Sequence, residues 1–169
     1  HYTFTLMPPY FMPPPSGLPP VPVTVAAVGP HSLRMAGEVG DGCRLHPFCT
    51  RRYLETEIMP RLSEGMAKSG RTRARFEIAG GGFVATGPDE AAVARQFEYV
   101  RGRVAFYGST PGYWPVLDAH GRGDLQPELN RLTKTGDWKQ MATLIDDDLL
   151  DAFVTCGTPA TILDTLRAR

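Results

Sequence analysis

A short turn between an apolar strand and a helix is the first segment of this sequence whose residue types suit a ligand. Residues 21–28 contain only Val, Pro, Thr and Ala, and they run into Gly29 and Pro30, after which an amphipathic helix is predicted from His31. Glycine lets a ligand approach the backbone closely, and the first amides of a helix favour anions. The segment therefore predicts a βα turn that can hold an anion.

A histidine ends the next predicted strand. The strand covers residues 43–46, so His46 lies where strand ends carry functional side chains in parallel α/β folds. An imidazole there could act as a hydrogen-bond donor or general acid, which makes His46 the candidate catalytic residue. The alternative is a histidine that is hydrogen-bonded beneath neighbouring loops. His120, in a loop between short helices, is predicted to be a helix-end feature.

The three cysteines do not indicate a metal site. Cys43, Cys49 and Cys156 form no CxxC pair, and Cys43, Cys49 and His46 have no fourth ligand at a useful spacing. We therefore predict buried cysteines, with neither a bound metal nor a disulfide framework.

The elements that must position these residues are three strands and a series of helices. Because short helices separate the strands, the strands are predicted to be parallel. The third strand, residues 76–86, is interrupted by three glycines, residues 80–82, which mark a bulge or a close backbone approach. The predicted helices cover residues 31–40, before a stop at residues 41–42, then 51–69 after a Thr50 cap, 88–107, 113–120, 125–135, 137–145, 147–154 and 158–169.

Two regions differ in composition. Residues 1–20 are rich in proline, which predicts an extended arm lying across the surface, with a ligand for an aromatic groove of another protein as the alternative. Residues 21–169 are predicted to form the folded unit. Three parallel strands leave a sheet face and two edges uncovered, so another chain or a longer polypeptide must cover them.

Charge and hydropathy exclude some classes of partner. The 18 basic and 18 acidic residues give a net charge of zero, which argues against nucleic acid or an anionic membrane as partner. No apolar stretch reaches the roughly 20 residues that span a bilayer, and the N-terminal residues lack the pattern of a signal peptide. We predict no membrane contact and a cytoplasmic location.

An ordered set of motifs resembles the luciferase-like monooxygenase superfamily, in particular its branch that uses the deazaflavin coenzyme F420. The motifs are residues 19–42 (PPVPVTVAAVGPHSLRMAGEVGDG), 46–48 (HPF), 52–54 (RYL), 83–87 (FVATG), 105–111 (AFYGSTP) and 157–159 (GTP). The resemblance implies a (β/α)8 TIM barrel of about twice this length, with the cofactor at the C-terminal ends of the strands. It places strands five, six and seven at residues 21–28, 43–46 and 76–86. The fold class is thus α/β, a partial barrel, and residues 21–169 are its C-terminal half with the first four strands and the last strand absent.

The resemblance also implies a cofactor site. It assigns the cofactor phosphate to the turn formed by Ala26, Ala27, Val28, Gly29, Pro30 and His31. The cofactor implied is coenzyme F420, with FMN as the alternative. His46 would face the ring or the substrate, and Arg34 would either reach an anionic tail of the cofactor or be solvated.

The function implied is that of the C-terminal portion of an oxidoreductase that uses a flavin or deazaflavin. Such an enzyme transfers hydride to or from a small-molecule substrate, or inserts oxygen, and this portion alone is expected to be inactive because family members place many ring and substrate contacts in the other half. The alternative is a non-catalytic half-barrel that pairs with itself, as a homo-oligomer, or with a separate N-terminal chain.

Overall fold

A computed structural model describes residues 10, 14 and 16–168. Of the arm predicted over residues 1–20, only residues 10, 14 and 16–20 are described, and these are exposed. The rest of the arm lies outside the described residues, so its predicted course over the surface stays a prediction.

The first βαβ unit has the predicted order and direction. Strand β1 (Thr24–Ala26) leads through the Gly29 turn into helix α1 (Pro30–Val39), and strand β2 (Gly42–Leu45) follows. β1 and β2 pair in parallel, with Ala26 opposite Arg44. The strand residues Val25, Cys43 and Leu45 pack toward the helical layer.

A long helical segment follows β2 and begins at the predicted cap. The Thr50 hydroxyl accepts a hydrogen bond from the Tyr53 N–H at 3.2 Å. The segment consists of α2 (Arg51–Tyr53), a π turn (Leu54–Ile58) and α3 (Met59–Lys68). Pro60 lies in the first turn of α3 and has no N–H to donate, so it interrupts the ladder of helical hydrogen bonds. The wider π turn immediately before α3 accommodates this interruption.

The glycine triplet divides the third predicted strand into two. β3 (Glu77–Gly80) pairs in parallel with β2, and β4 (Phe83–Thr86) belongs to a second sheet. Gly80, Gly81 and Gly82 have φ angles of 90°, 93° and 73°, which side-chain-bearing residues rarely adopt. The predicted interruption at residues 80–82 is confirmed, and it redirects the chain from one sheet to the other.

The sequence predicted three strands and no last strand of the barrel, and the predicted number of strands is wrong. Residues 154–157 form a further strand, β5 (Val154–Gly157), which pairs in parallel with β4. The sequence analysis had assigned Val154 to the end of a helix and had begun the last helix at residue 158. The pairing with β4 explains the difference, because a four-residue strand gains its stability from the neighbouring strand and not from local sequence.

Helices occupy most of the chain between β4 and β5 and after β5. The N-terminal caps of α4, α7 and α8 are Asp89, Asp137 and Asp146, each accepting a hydrogen bond from a first-turn backbone N–H. The helices are α4 (Glu90–Gly108), α5 (Trp114–Asp118), α6 (Leu125–Thr135), α7 (Trp138–Thr143), α8 (Asp147–Phe153) and α9 (Ile162–Ala168).

Two apolar clusters form the core. One lies between the three-stranded sheet, α1 and α3, and the other joins β4 and β5 to α4 and the helices that follow it. α1 and α3 approach so closely that a Cβ on Gly37 would collide with the carbonyl oxygen of Leu62, and one on Gly65 with that of Arg34. The two helix backbones are therefore in direct contact at these glycines.

The face of the three-stranded sheet opposite α1 and α3 is exposed. Thr24, Ala26, Arg44 and Glu77 alternate with the core-facing residues of their strands and have exposed side chains. We call this surface of the three-stranded sheet the inner face.

Candidate functional site

The turn between β1 and α1 has the conformation that its sequence predicts. Gly29 is the N-cap of α1 in an extended conformation, and Pro30 occupies the first helical position. The Ser32 hydroxyl donates to the Gly29 carbonyl at 2.9 Å, and the Leu33 N–H donates to the same carbonyl at 3.0 Å. These two bonds hold the turn closed from the helix side.

The ligand-facing capacity of this turn lies in its amides. The N–H groups of His31 and Ser32 belong to the first turn of α1, where no helical carbonyl precedes them, and Pro30 has no N–H. A Cβ added to Gly29 would meet only the Ser32 hydroxyl oxygen, at 3.8 Å. The space beside the turn is therefore open, and the helix dipole favours an anion there.

His46 is held between two tyrosine rings. Its imidazole stacks on Tyr113, with ring centroids 4.8 Å apart and 23° between the planes, and meets the edge of Tyr107 at 4.8 Å and 77°. The backbone N–H of Phe48 donates to His46 Nδ1 at 3.0 Å. The ring orientation is thus fixed by three contacts from two parts of the chain.

These contacts determine the protonation of His46. Nδ1 accepts a hydrogen bond, so the neutral ring carries its proton on Nε2. Burial lowers the pKa of His46 because the charged imidazolium is poorly solvated there. His46 is therefore a neutral Nε2–H donor at neutral pH and is poorly suited to serve as a proton-accepting base at that atom.

The structure brings the turn and His46 together. Ala27 and Val28 line the same narrow cavity as His46, which is closed by Phe48, Cys49, Tyr53, Ile58 and Val116. Ala26, Pro30 and His31 are exposed, Val28 and Gly29 are half-buried, and Ala27 is buried in the core. The predicted site residues thus form one neighbourhood at the ends of β1 and β2.

His120 lies at the end of α5 and supports the helix cap at Thr50. Its Nε2 lies 2.8 Å from the Thr50 hydroxyl oxygen, and its own backbone N–H bonds to the Leu117 carbonyl at 3.0 Å. Burial, and then the charge of Arg52, lower the pKa of His120. The prediction that His120 is a helix-end feature is confirmed.

Arg34 pairs with Glu64, and the cysteines belong to no metal-binding group among the described residues. The Arg34 guanidinium donates to the Glu64 carboxylate across α1 and α3, so it is engaged away from the turn. Cys43 and Cys49 are buried, and burial raises the pKa of Cys49 to about 11. Within residues 10, 14 and 16–168, no group of three His, Cys, Asp or Glu side chains is placed to bind a metal ion.

Two residues of this neighbourhood escaped the sequence analysis as site residues. Tyr107 and Tyr113 come from the end of α4 and the turn after it, and they form the two walls around His46. Tyr107 lies within the 105–111 motif, which was the available signal. Tyr113 lies two residues beyond that motif and gave no signal of its own.

The family is decided by comparison with known proteins. The model of the family described as "Luciferase-like monooxygenase" matches residues 1–169. The chain belongs to this family. The resemblance inferred from the motifs is therefore confirmed.

Individual curated proteins are similar to this chain over most of its length. An uncharacterized protein of Mycobacterium tuberculosis is 47% identical over 168 residues, which are 99% of this chain and 49% of that protein. The 5,10-methylenetetrahydromethanopterin reductase of Archaeoglobus fulgidus is 26% identical over 153 residues, 86% of this chain and 44% of the reductase.

A solved structure shares the fold. The coenzyme F420 dependent tetrahydromethanopterin reductase of Methanopyrus kandleri superposes with a TM-score of 0.70 at 24% identity, over 87% of this chain and 41% of the reductase chain. The chain spans about half the length of the curated relatives that it matches. Across the described residues, no helix has the length and apolar character needed to cross a bilayer.

Proposed function

We propose that this chain is the cofactor-phosphate portion of an F420-dependent oxidoreductase of the luciferase-like family. The observation that carries the proposal is the Gly29 turn, where the first helical amides at His31 and Ser32 precede any helical carbonyl and the space beside the Gly29 Cα is open. The turn fits a phosphate because it offers backbone donors and no side chain that blocks their approach.

Coenzyme F420 is preferred to FMN as the occupant. Two of the relatives carry an activity in their names. One is a 5,10-methylenetetrahydromethanopterin reductase, and the other is a tetrahydromethanopterin reductase described as coenzyme F420 dependent. When bound, a deazaflavin supplies hydride transfer to or from a small-molecule substrate. The residues of this chain would bind the phosphate, orient the ring end and exclude water.

His46 is proposed to contribute a hydrogen-bond donor at the same site. Its Nε2–H has no acceptor among the described residues, whereas Nδ1 is occupied by the Phe48 amide. We assign His46 the role of donating to an electronegative atom of the substrate or ring, and Tyr113 and Tyr107 the role of holding the imidazole at that angle.

A complementary part must cover the inner face for the site to be complete. The inner face exposes Arg44 and Glu77, and in a closed TIM barrel the corresponding positions are packed. We propose that residues 21–169 are the C-terminal half of such a barrel and that the remaining half covers this face. A membrane contact is not part of the proposal, and the cytoplasmic location stays a prediction.

The same exposed face supports a second candidate, a half-barrel module that pairs with a second copy of itself. Light scattering at several protein concentrations gives the molar mass of the parent and of the charge-reversal variant Arg44→Glu, and this comparison separates the two candidates. A dimer that dissociates in the Arg44→Glu variant supports self-pairing through the inner face. A monomer supports the half-barrel that needs a different complementary part.

The cofactor assignment is tested by titrating coenzyme F420 into the isotope-labelled chain. The expected result is a saturable change of the His31 and Ser32 amide resonances, which a Gly29→Val variant weakens about tenfold or more because its side chain fills the approach to the amides. Unchanged affinity in the variant would remove the turn from the site.

A further inference from the structure

A second cavity lies at the glycine segment, apart from the Gly29 turn. It has a volume of about 250 Å³ and is bounded by the segment Gly80–Gly82, by Thr50 and Arg51 at the start of α2, and by Thr155 of β5. Leu166 of α9 closes one side. Complete small-molecule sites enclose about 300–1,000 Å³, so this cavity fits one polar group of a ligand and not a whole ligand.

Thr155 is the polar side chain that this cavity leaves without a partner. The residue is 4% exposed, and no hydrogen bond of its hydroxyl to another described residue is seen. In the described part of the chain, every side-chain nitrogen or oxygen that is fully inaccessible has a hydrogen-bond partner. The Thr155 hydroxyl has no partner there, so it must retain some accessible surface, and the cavity is where it does so. Full burial of a hydroxyl without a partner would be costly.

The glycine segment adds backbone donors to the same cavity. Gly81 and Gly82 lie between the ladder that ends at Gly80 and the ladder that begins at Phe83, so their amides belong to neither. A Cβ on Gly81 would find only ordinary contacts, the nearest with Leu45 at 3.6 Å, so packing does not require glycine there. The positive φ of 93° does require it, since residues with a side chain rarely adopt this conformation.

The charge at the rim of the cavity is positive, which favours an anionic ligand. Arg51 is the charged member of the described lining, and its guanidinium donates to Glu55 at 2.8 Å and to the Ala168 carbonyl at 3.3 Å. The Arg51–Glu55 pair is about 60% exposed on both sides, so water competes with it and it contributes little. The described lining therefore presents a hydroxyl and backbone amides and no carboxylate, with the positive charge of the paired Arg51 at the rim.

We propose that this cavity is an oxyanion subsite that binds the phosphate or carboxylate group of the substrate, with Thr155 and the Gly81 and Gly82 amides as donors and Arg51 at its rim. The proposal rests on the proposed function for the identity of the ligand as substrate. The binding of an oxyanion by itself does not depend on coenzyme F420, so the two can be tested separately.

The test is a titration of the isotope-labelled chain with inorganic phosphate and, in a second arm, with acetate, at constant ionic strength set by chloride. The expected result is saturable movement of the Gly81, Gly82 and Thr155 amide resonances, while those of His31 and Ser32 report on the cofactor turn independently. Saturation by phosphate alone assigns a phosphate group, and saturation by acetate alone assigns a carboxylate.

Two substitutions separate ligand binding from structure. Thr155→Val keeps the side-chain shape and removes the hydroxyl, so we expect oxyanion affinity to fall about tenfold with the melting temperature unchanged or raised. Thr86→Val, on the neighbouring strand β4 with an exposed side chain, is the matched control and should bind as the parent does. No saturable change at the glycine amides, or equal affinity in Thr155→Val and the parent, would overturn the proposal.

Discussion

The backbone N–H of Phe48 donates a hydrogen bond to Nδ1 of His46 at 3.0 Å. This bond decides what the imidazole can do, because an accepting Nδ1 leaves the proton of the neutral ring on Nε2. The side chain follows β2 directly, and the donor comes from the loop that the same strand leads into. A local backbone bond thus sets the chemistry of the candidate catalytic residue.

We predict that His46 is the Nε2–H tautomer in solution. The measurement is the pair of ring nitrogen chemical shifts at neutral pH, in which a protonated and an unprotonated nitrogen are clearly distinct. The exposed His31 serves as the reference for a ring without a fixed tautomer. A protonated Nδ1 in neutral His46 would contradict the assignment of His46 as a donor through Nε2.

The stability of the chain is predicted to fall as the solution is acidified below about pH 6.5. Burial lowers the pKa values of His46 and His120 below the 6.5 of the unfolded chain, so the unfolded state binds more protons in the window between the unfolded and folded values. Their contribution is complete above that window and is lost as pH falls through it. Urea unfolding at a series of pH values gives the slope of the unfolding free energy against pH.

The control for this pH dependence is the double variant His46→Asn and His120→Asn. Its absolute stability is expected to be lower, because the ring contacts and the Thr50 hydrogen bond are lost, but its slope near pH 6 should be shallower than that of the parent. Equal slopes would show that other groups produce the pH dependence.

Gly65→Ala is predicted to destabilise the chain strongly. Its new methyl group would collide with the Arg34 carbonyl oxygen on α1, and the two helix backbones must separate to accept it. Overpacking of this kind costs about 1–3 kcal/mol. Gly102→Ala is the matched control in α4, where a Cβ meets nothing within 4 Å, and it should stabilise by about 0.5–1 kcal/mol. Thermal unfolding of the two variants measures both effects, and a Gly65→Ala variant as stable as the parent would contradict the close crossing of α1 and α3.

Thr50→Val is predicted to cost about 1–2 kcal/mol of unfolding free energy. The substitution removes the hydroxyl that caps the Tyr53 amide and contacts His120 Nε2 at 2.8 Å. Thr56→Val, on an exposed position of the same helical segment, should change stability by less than about 0.5 kcal/mol. Denaturant unfolding compares the two variants. Similar losses of unfolding free energy would contradict a stabilising role of the Thr50 cap.

Local signals in the sequence predicted much of the fold. The Thr50 cap, the Gly29–Pro30 turn and the glycine interruption are each produced by one to three neighbouring residues, and each is found where the sequence places it. Strand β5 was missed because its stability depends on β4, which lies about 70 residues earlier in the chain. The β-branched pair Val154 and Thr155, ending at a glycine, was the available signal.

The candidate site was predicted in part for the same reason. The turn residues Ala26–His31 were named through the family resemblance of their own segment, whereas the setting of His46 depends on Tyr107 and Tyr113, which reach it from a distant part of the chain. The unpartnered hydroxyl of Thr155 could be found only after β5 was placed. Contacts between distant segments are what the sequence alone does not contain.

The central claim is that the first amides of α1 hold the phosphate of coenzyme F420. The most direct measurement is the affinity of the chain for coenzyme F420, followed at the His31 and Ser32 amides, in the parent and in Gly29→Val. The account predicts saturable changes at these two amides and an affinity at least about tenfold weaker in the variant, which must retain the parent's melting behaviour. Binding that leaves both amides unchanged, or that is equal in the parent and the variant, would contradict it.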